Sequence, residues 1–132
     1  MAKISFSNPK EVGPTNGWTQ VVSVDGPVKF LYISGQVSTD AKGTMVGLGD
    51  LEAQTRQAYA NLLAVLRSQG ASFKDVVKMN TYTTQPEKVG LIRKVRREFI
   101  VGDNFPAATL VGVTALADPA WLVEVDAVAV LG

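Results

Sequence analysis

Apolar and polar positions recur along the chain with two periods, and these divide it into seven elements. The stretch 19–34, "TQVVSVDGPVKFLYIS", alternates on both sides of Asp25-Gly26, a dipeptide that favours a tight hairpin turn, so it predicts two strands. Pro27 is tolerated because it opens the second strand, where no ladder donor is lost. Residues 39–50, "TDAKGTMVGLGD", form a glycine-rich loop with a short extended piece at 44–46. From 50 to 70 the period changes to that of a helix, with Leu51, Ala58, Leu62, Val65 and Leu66 on one face. Asp50 is placed to cap its start, Glu52 to complement its dipole, and Gly70 to stop it. "DVVKMNTYT", 75–83, predicts a third strand. Thr84-Gln85-Pro86-Glu87 reads as a capping box with proline in the first turn. It opens a second helix that runs to about Val101 and turns Val89, Ile92, Val95 and Phe99 inward. Two more strands follow at 107–116 and 121–130.

The predicted order is β-β-α-β-α-β-β in one domain spanning residues 1–132, an α+β fold with both helices on one face of the sheet. The last two strands add a constraint. Both alternating faces of 107–116 are apolar or small. In 121–130, Trp121, Val123, Val125, Ala127 and Ala129 make one apolar face, and Leu122, Val128 and Val130 make the other apolar too, apart from Glu124 and Asp126. Two helices cover only one face, so the other predicts a homo-oligomer whose sheets pack together. An apolar fraction of 46% over 132 residues suits a chain with a large subunit interface.

Composition narrows the chemistry. The chain has no histidine and no cysteine, which excludes Ser-His-Asp triads, thiol catalysis, disulfides and the usual zinc sites. A catalyst built here must use carboxylates, lysine, tyrosine, hydroxyls, backbone groups or an ordered water. No acidic cluster suggests a metal. Net charge is +1, so charge as a whole points to neither nucleic acid nor membrane. No apolar run is long enough to cross a bilayer, and the first residues lack the apolar segment of a secretory leader, so the expected location is cytoplasmic.

Several stretches together resemble the RidA family, also called YjgF or L-PSP endoribonuclease-like proteins. They are "YISGQVSTDAKG", "QTRQAYANLLAVLRSQGASFKDVVKMNTY", "FPAATLVGVTAL" and "LVEVDAVAV". The resemblance covers nearly the whole chain. It implies a chorismate-mutase-like fold, a homotrimer with clefts between subunits, and hydrolysis of reactive imines and enamines to keto acids and ammonia without a cofactor. In the family, an arginine anchors the substrate carboxylate and a glutamate places or activates water. Carried over by position, the acid falls on Glu124 and the Ser-Gly strand end on Ser34-Gly35. An aromatic near an N-terminal Gly-Pro falls on Trp18, with longer spacing. A helix position often occupied by asparagine falls on Arg93, and a cysteine-like position on Leu110. The arginine motif, Pro-Ala-Arg followed by Ser or Thr, here reads Pro106-Ala107-Ala108-Thr109, so Ala108 stands in the anchor's place.

An alanine offers no fork to a carboxylate. Either Arg93 replaces the anchor from its helix, or the substrate is not an amino-acid derivative. Each other candidate has a structural alternative. Glu124 and Asp126, roughly 7 Å apart on one strand face, are a water-positioning acid and its neighbour or a solvated rim. Ser34-Gly35 offers backbone groups to a ligand or simply ends a strand, and Trp18 walls a cleft or packs in an interface. The basic run Lys88, Arg93, Lys94, Arg96 and Arg97 reads as a solvated helix face rather than an RNA surface, because no aromatic side chains are interleaved with it. Two functions therefore stand side by side: a cofactor-free imine or enamine hydrolase, and a non-catalytic binder of small molecules that keeps the same trimer. An RNA-acting protein is a distant third.

Overall fold

The computed structural model of the chain describes residues 3–132. It contains the strands β1 (Lys3–Ser7), β2 (Val21–Asp25), β3 (Lys29–Gln36), β4 (Val76–Thr83), β5 (Ala107–Gly112) and β6 (Val123–Leu131), with the helices α1 (Leu51–Ser68) and α2 (Val89–Phe99). The α+β class and the two-helix layer follow the expected pattern. The first strand is an addition, and the expected 19–34 hairpin is corrected. Its two strands are joined across Asp25-Gly26, but β2 forms its ladder with β1, from Ser7↔Val21 to Lys3↔Asp25. Gly26 sits at φ 96, the left-handed region such a turn requires.

The main sheet has the order β3-β6-β4-β5. The last strand of the chain is thus central, antiparallel to β3 and β4, while β5 lies parallel to β4 at the edge after the α2 crossover. Strand alternation divides the side chains between two faces. Leu31, Ile33, Met79, Val123, Val125, Ala127 and Ala129 are buried. Most of them share a core with Ala58, Tyr59, Leu62, Leu66 and Val95 of the helices, and Tyr59, Phe73 and Phe99 cluster within it at 5.6–6.0 Å between ring centroids, Tyr59 stacked on Phe99 and Phe73 edge-on to Phe99. Fully burying each such aliphatic side chain stabilises the fold by roughly 1.5–3 kcal/mol. The opposite face carries no helix. There Phe30 and Tyr32 stack 5.9 Å apart, and Tyr32 is 77% exposed.

α1 begins as its sequence dictates: the Asp50 carboxylate accepts from the Ala53 N–H. It ends with Gly70 at φ 75 and the Ala71 N–H donating to the Leu66 carbonyl. α2 differs from expectation. A single 3-10 turn, Pro86–Lys88, precedes it, and Lys88 caps it with no side-chain bond, so Thr84 and Glu87 form no capping box. Thr83 does the local work, its hydroxyl accepting from the Gln85 N–H at 3.0 Å. A capping box does form elsewhere, between Ser72 and Asp75 just before β4. α2 stops at Phe99 rather than Val101, and the last two strands are Ala107–Gly112 and Val123–Leu131 rather than 107–116 and 121–130. The short extended piece in the glycine-rich loop is present, as Thr39 bridges Met45.

Candidate functional site

The helix-free face of the sheet gathers polar groups at its centre. Alternation along β6 puts Glu124 and Asp126 on that face, because Val123, Val125 and Ala127 point into the core. Asp126 lies opposite Asn80 on β4 and accepts from its Nδ2 at 2.9 Å, which makes it a fixed structural acceptor. Glu124 lies opposite Tyr82. The Tyr82 phenol is held above its ordinary pKa, first by desolvation and then by the negative charges of Asp126 and Glu124. One row along, Lys78 donates from Nζ to the Thr109 hydroxyl at 2.9 Å.

A bulge brings the second expected element to Glu124. The β3–β6 register runs Ile33↔Ala127 and then Gln36↔Val125, so Ser34 and Gly35 together face the single residue Asp126. Bulges of this kind re-aim backbone next to sites. Here the bulge lays the Gly35 backbone under the Glu124 side chain. A Cβ on Gly35 would stand 1.8 Å from Glu124 Oε2 and 2.7 Å from its Cδ. The glycine is therefore needed for the carboxylate to lie where it does. No side-chain hydrogen bond or ion pair among the described residues uses the Glu124 oxygens, so both are free to accept from water or a ligand.

The other expected residues fall in different places. Thr109 shares the outer face, in register with Asn80, on the edge strand two strand spacings (roughly 10 Å) from β6. Ala108 does not share it. It is in register with buried Met79, and two residues on Leu110 packs with Leu51, Ile92 and Val123, so this alternate set of β5 points to the helices. Trp18 is brought to the start of β5. The next residue, Thr19, bridges Ala107, donates from its N–H to the Pro106 carbonyl at 3.1 Å and from its hydroxyl to the Phe105 carbonyl at 2.5 Å. Arg93 is exposed on α2, in the helix layer, and within one chain the sheet separates it from Glu124. Sequence reasoning overlooked Lys78, Asn80 and Tyr82. Their signal was the alternation of polar residues within "KMNTY", which sets three polar side chains on one strand face.

Among the described residues no group of three or more acidic side chains is placed to hold a metal ion. None of the helices is long and apolar enough to cross a membrane.

Known proteins share both the sequence and the fold. The family described as Endoribonuclease L-PSP matches residues 9–131. A RutC family protein of Pyrococcus horikoshii is 32% identical over 131 residues, covering 98% of each chain. A protein of Dermatophagoides farinae named 2-iminobutanoate/2-iminopropanoate deaminase is 32% identical over 93% of this chain and 90% of its own. The crystal structure of the Rid family protein YyfB from Yersinia pestis superposes with a TM-score of 0.88 at 36% identity, covering 97% of this chain and 98% of that one. Shared sequence over the full domain and a shared fold together show that this chain belongs to the RidA/YjgF family, the L-PSP endoribonuclease-like proteins.

Proposed function

We propose that the protein is a cofactor-independent hydrolase of a small reactive imine or enamine, working as a homotrimer with Glu124 as the catalytic acid-base in a cleft between subunits. The observation that carries this reading is the Glu124 carboxylate lying over Gly35 with its oxygens uncommitted. The deaminase names of several relatives support the reaction class. In the reaction, Glu124 takes a proton from water as its oxygen bonds to the imine carbon. That proton goes to the imine nitrogen, which completes the carbinolamine. Glu124 then takes the carbinolamine hydroxyl proton and delivers it to the nitrogen as the C–N bond breaks, so ammonia leaves, C=O replaces C=N, and imine plus water has become carbonyl plus ammonia. Ser34 and the neighbouring backbone border the carboxylate and hold the ligand against it.

Ala108 sets this chain apart. It supplies no cation at the position where the resemblance places an arginine, and a hydrogen bond to a charged group contributes about 1.5–3 kcal/mol, or one to two decades in affinity. That loss favours a second reading, a trimeric binder of small molecules without turnover. An imine-hydrolysis assay separates the two. An amino-acid oxidase generates 2-imino acids in place, and semicarbazide traps what remains. Hydrolysis accelerated by the wild type and abolished in Glu124→Ala supports the enzyme. An inert wild type made active by Ala108→Arg supports the binder, with a cleft that lacks only its anchor.

A further inference from the structure

The salt bridges of the helix layer leave the three arginines of α2 over. Glu52 receives Arg56 and Lys94, and Glu98 receives Arg56. No ion pair among the described residues includes Arg93, Arg96 or Arg97. The spacing 93, 96, 97 puts all three on one face of α2, where like charges repel. A solvated arginine tolerates this easily, and Arg93 and Arg97 are exposed. Arg96 is not so placed. It is partly buried, and burial first, then the charges of Arg93 and Arg97, hold its guanidinium below the ordinary arginine pKa.

What surrounds Arg96 is a small cavity. It measures about 130 Å³ and is lined by Asn16, Gly17, Arg96, Arg97, Ile100 and Phe105. Gly17 adopts φ +86, and a Cβ there would stand 3.2 Å from Arg96 Nη2, so the guanidinium lies against loop backbone. That loop is held in place by the two bonds of Thr19 to the Phe105 and Pro106 carbonyls. The cavity thus has a fixed wall, the Arg96 guanidinium, a second arginine in its lining and no acidic residue among its lining residues. It opens at the mouth of β5, three residues along the chain from Ala108.

We propose that this cavity binds the carboxylate of a small 2-oxo or 2-imino acid, with the Arg96 guanidinium as the fork and Arg97 as the second cation, so that α2 supplies the anchor that the strand lacks. The ligand class rests on the function proposed above. The volume equals that of roughly four liquid water molecules, enough for the carboxylate end of a three- or four-carbon acid. The fork geometry suits a carboxylate, and partial desolvation strengthens the pairing. Within one chain Arg96 and Glu124 lie on opposite sides of the sheet, so they reach one molecule only across a subunit boundary. Binding to Arg96 needs no turnover and is measurable by itself.

The test is calorimetric titration of the full-length protein with pyruvate and, separately, with inorganic phosphate. The expected result is saturable pyruvate binding, weakened ten- to a hundredfold in Arg96→Gln, less in Arg96→Lys, and several-fold in Arg97→Gln. Circular dichroism establishes that each variant is folded. If Arg96→Gln does not fold, the Arg96 Nε–H resonance of the wild type decides: it shifts on addition of pyruvate, or the inference falls. Unchanged affinity in Arg96→Gln overturns the inference. So does a wild type that binds neither ion, or one that binds phosphate but not pyruvate. A wild type that binds pyruvate through Arg96 yet hydrolyses no imine leaves the anchor standing and removes the catalysis.

Discussion

Gly35 and Glu124 act as one device. The carboxylate occupies the space where any other residue at 35 would place its Cβ, 1.8 Å from Oε2. The obstructed atom is the end of a flexible side chain, so Gly35→Ala is expected to swing the carboxylate aside and leave the fold intact. The prediction is a loss of imine hydrolysis of tenfold or more with the unfolding midpoint nearly unchanged, read from the assay and from urea denaturation of the same preparation. Equal activity in Gly35→Ala would mean that the position of the carboxylate is immaterial. Asp126 behaves differently although it shares the face, because Asn80 holds one of its oxygens. Two acids of the same strand thus have separate roles, set by which neighbour across the ladder is a donor.

At the scale of elements, Gln54 links the helix layer to the strand that carries Glu124. It is fully buried, donates from Nε2 to the Gly47 and Ala120 carbonyls at 3.1 and 3.0 Å, and accepts from the Leu122 N–H at 2.9 Å. Gln54→Ala leaves a buried N–H unpaired and opens a void, with an expected cost of about 3 kcal/mol, measured by urea denaturation. α1 was legible in the sequence because its cap, its apolar stripe and its terminal glycine are local signals. The pairing of the strands was not. β2 leaves the Asp25-Gly26 turn to join β1, and β6 inserts between β3 and β4, choices made by contacts distant in sequence. The site divides in the same way. Glu124 and Gly35 each stood out on their own, but their proximity depends on a bulge in the β3–β6 register. Ala108 could be placed at a cleft only by likeness to the family; within one chain its register with Met79 turns it toward the helices.

The whole molecule has one face finished by helices and one face of sheet without them. On the open face Tyr32 and Phe30 of β3 are exposed, at 77% and 51%, and the polar row of Lys78, Asn80 and Tyr82 lies on β4, with β6 between them. The proposed trimer buries this face against its copies. Wild-type protein at micromolar concentration is expected to scatter light as a trimer, and Tyr32→Glu, which adds a charge to each copy, as a monomer. A wild-type monomer would remove the intersubunit cleft from the account. RNA binding finds little support at this scale, because the basic face of α2, where Glu52 neutralises only Lys94, carries no interleaved aromatic side chains for bases to stack on. The central claim is that Glu124 performs hydrolysis, and the most direct measurement is the rate of 2-iminopropanoate disappearance with wild type and with Glu124→Gln at equal protein concentration. The account predicts acceleration by the wild type and a loss of about 10²–10⁴-fold in the variant. Equal rates for the two proteins, at or above the uncatalysed rate, would contradict it.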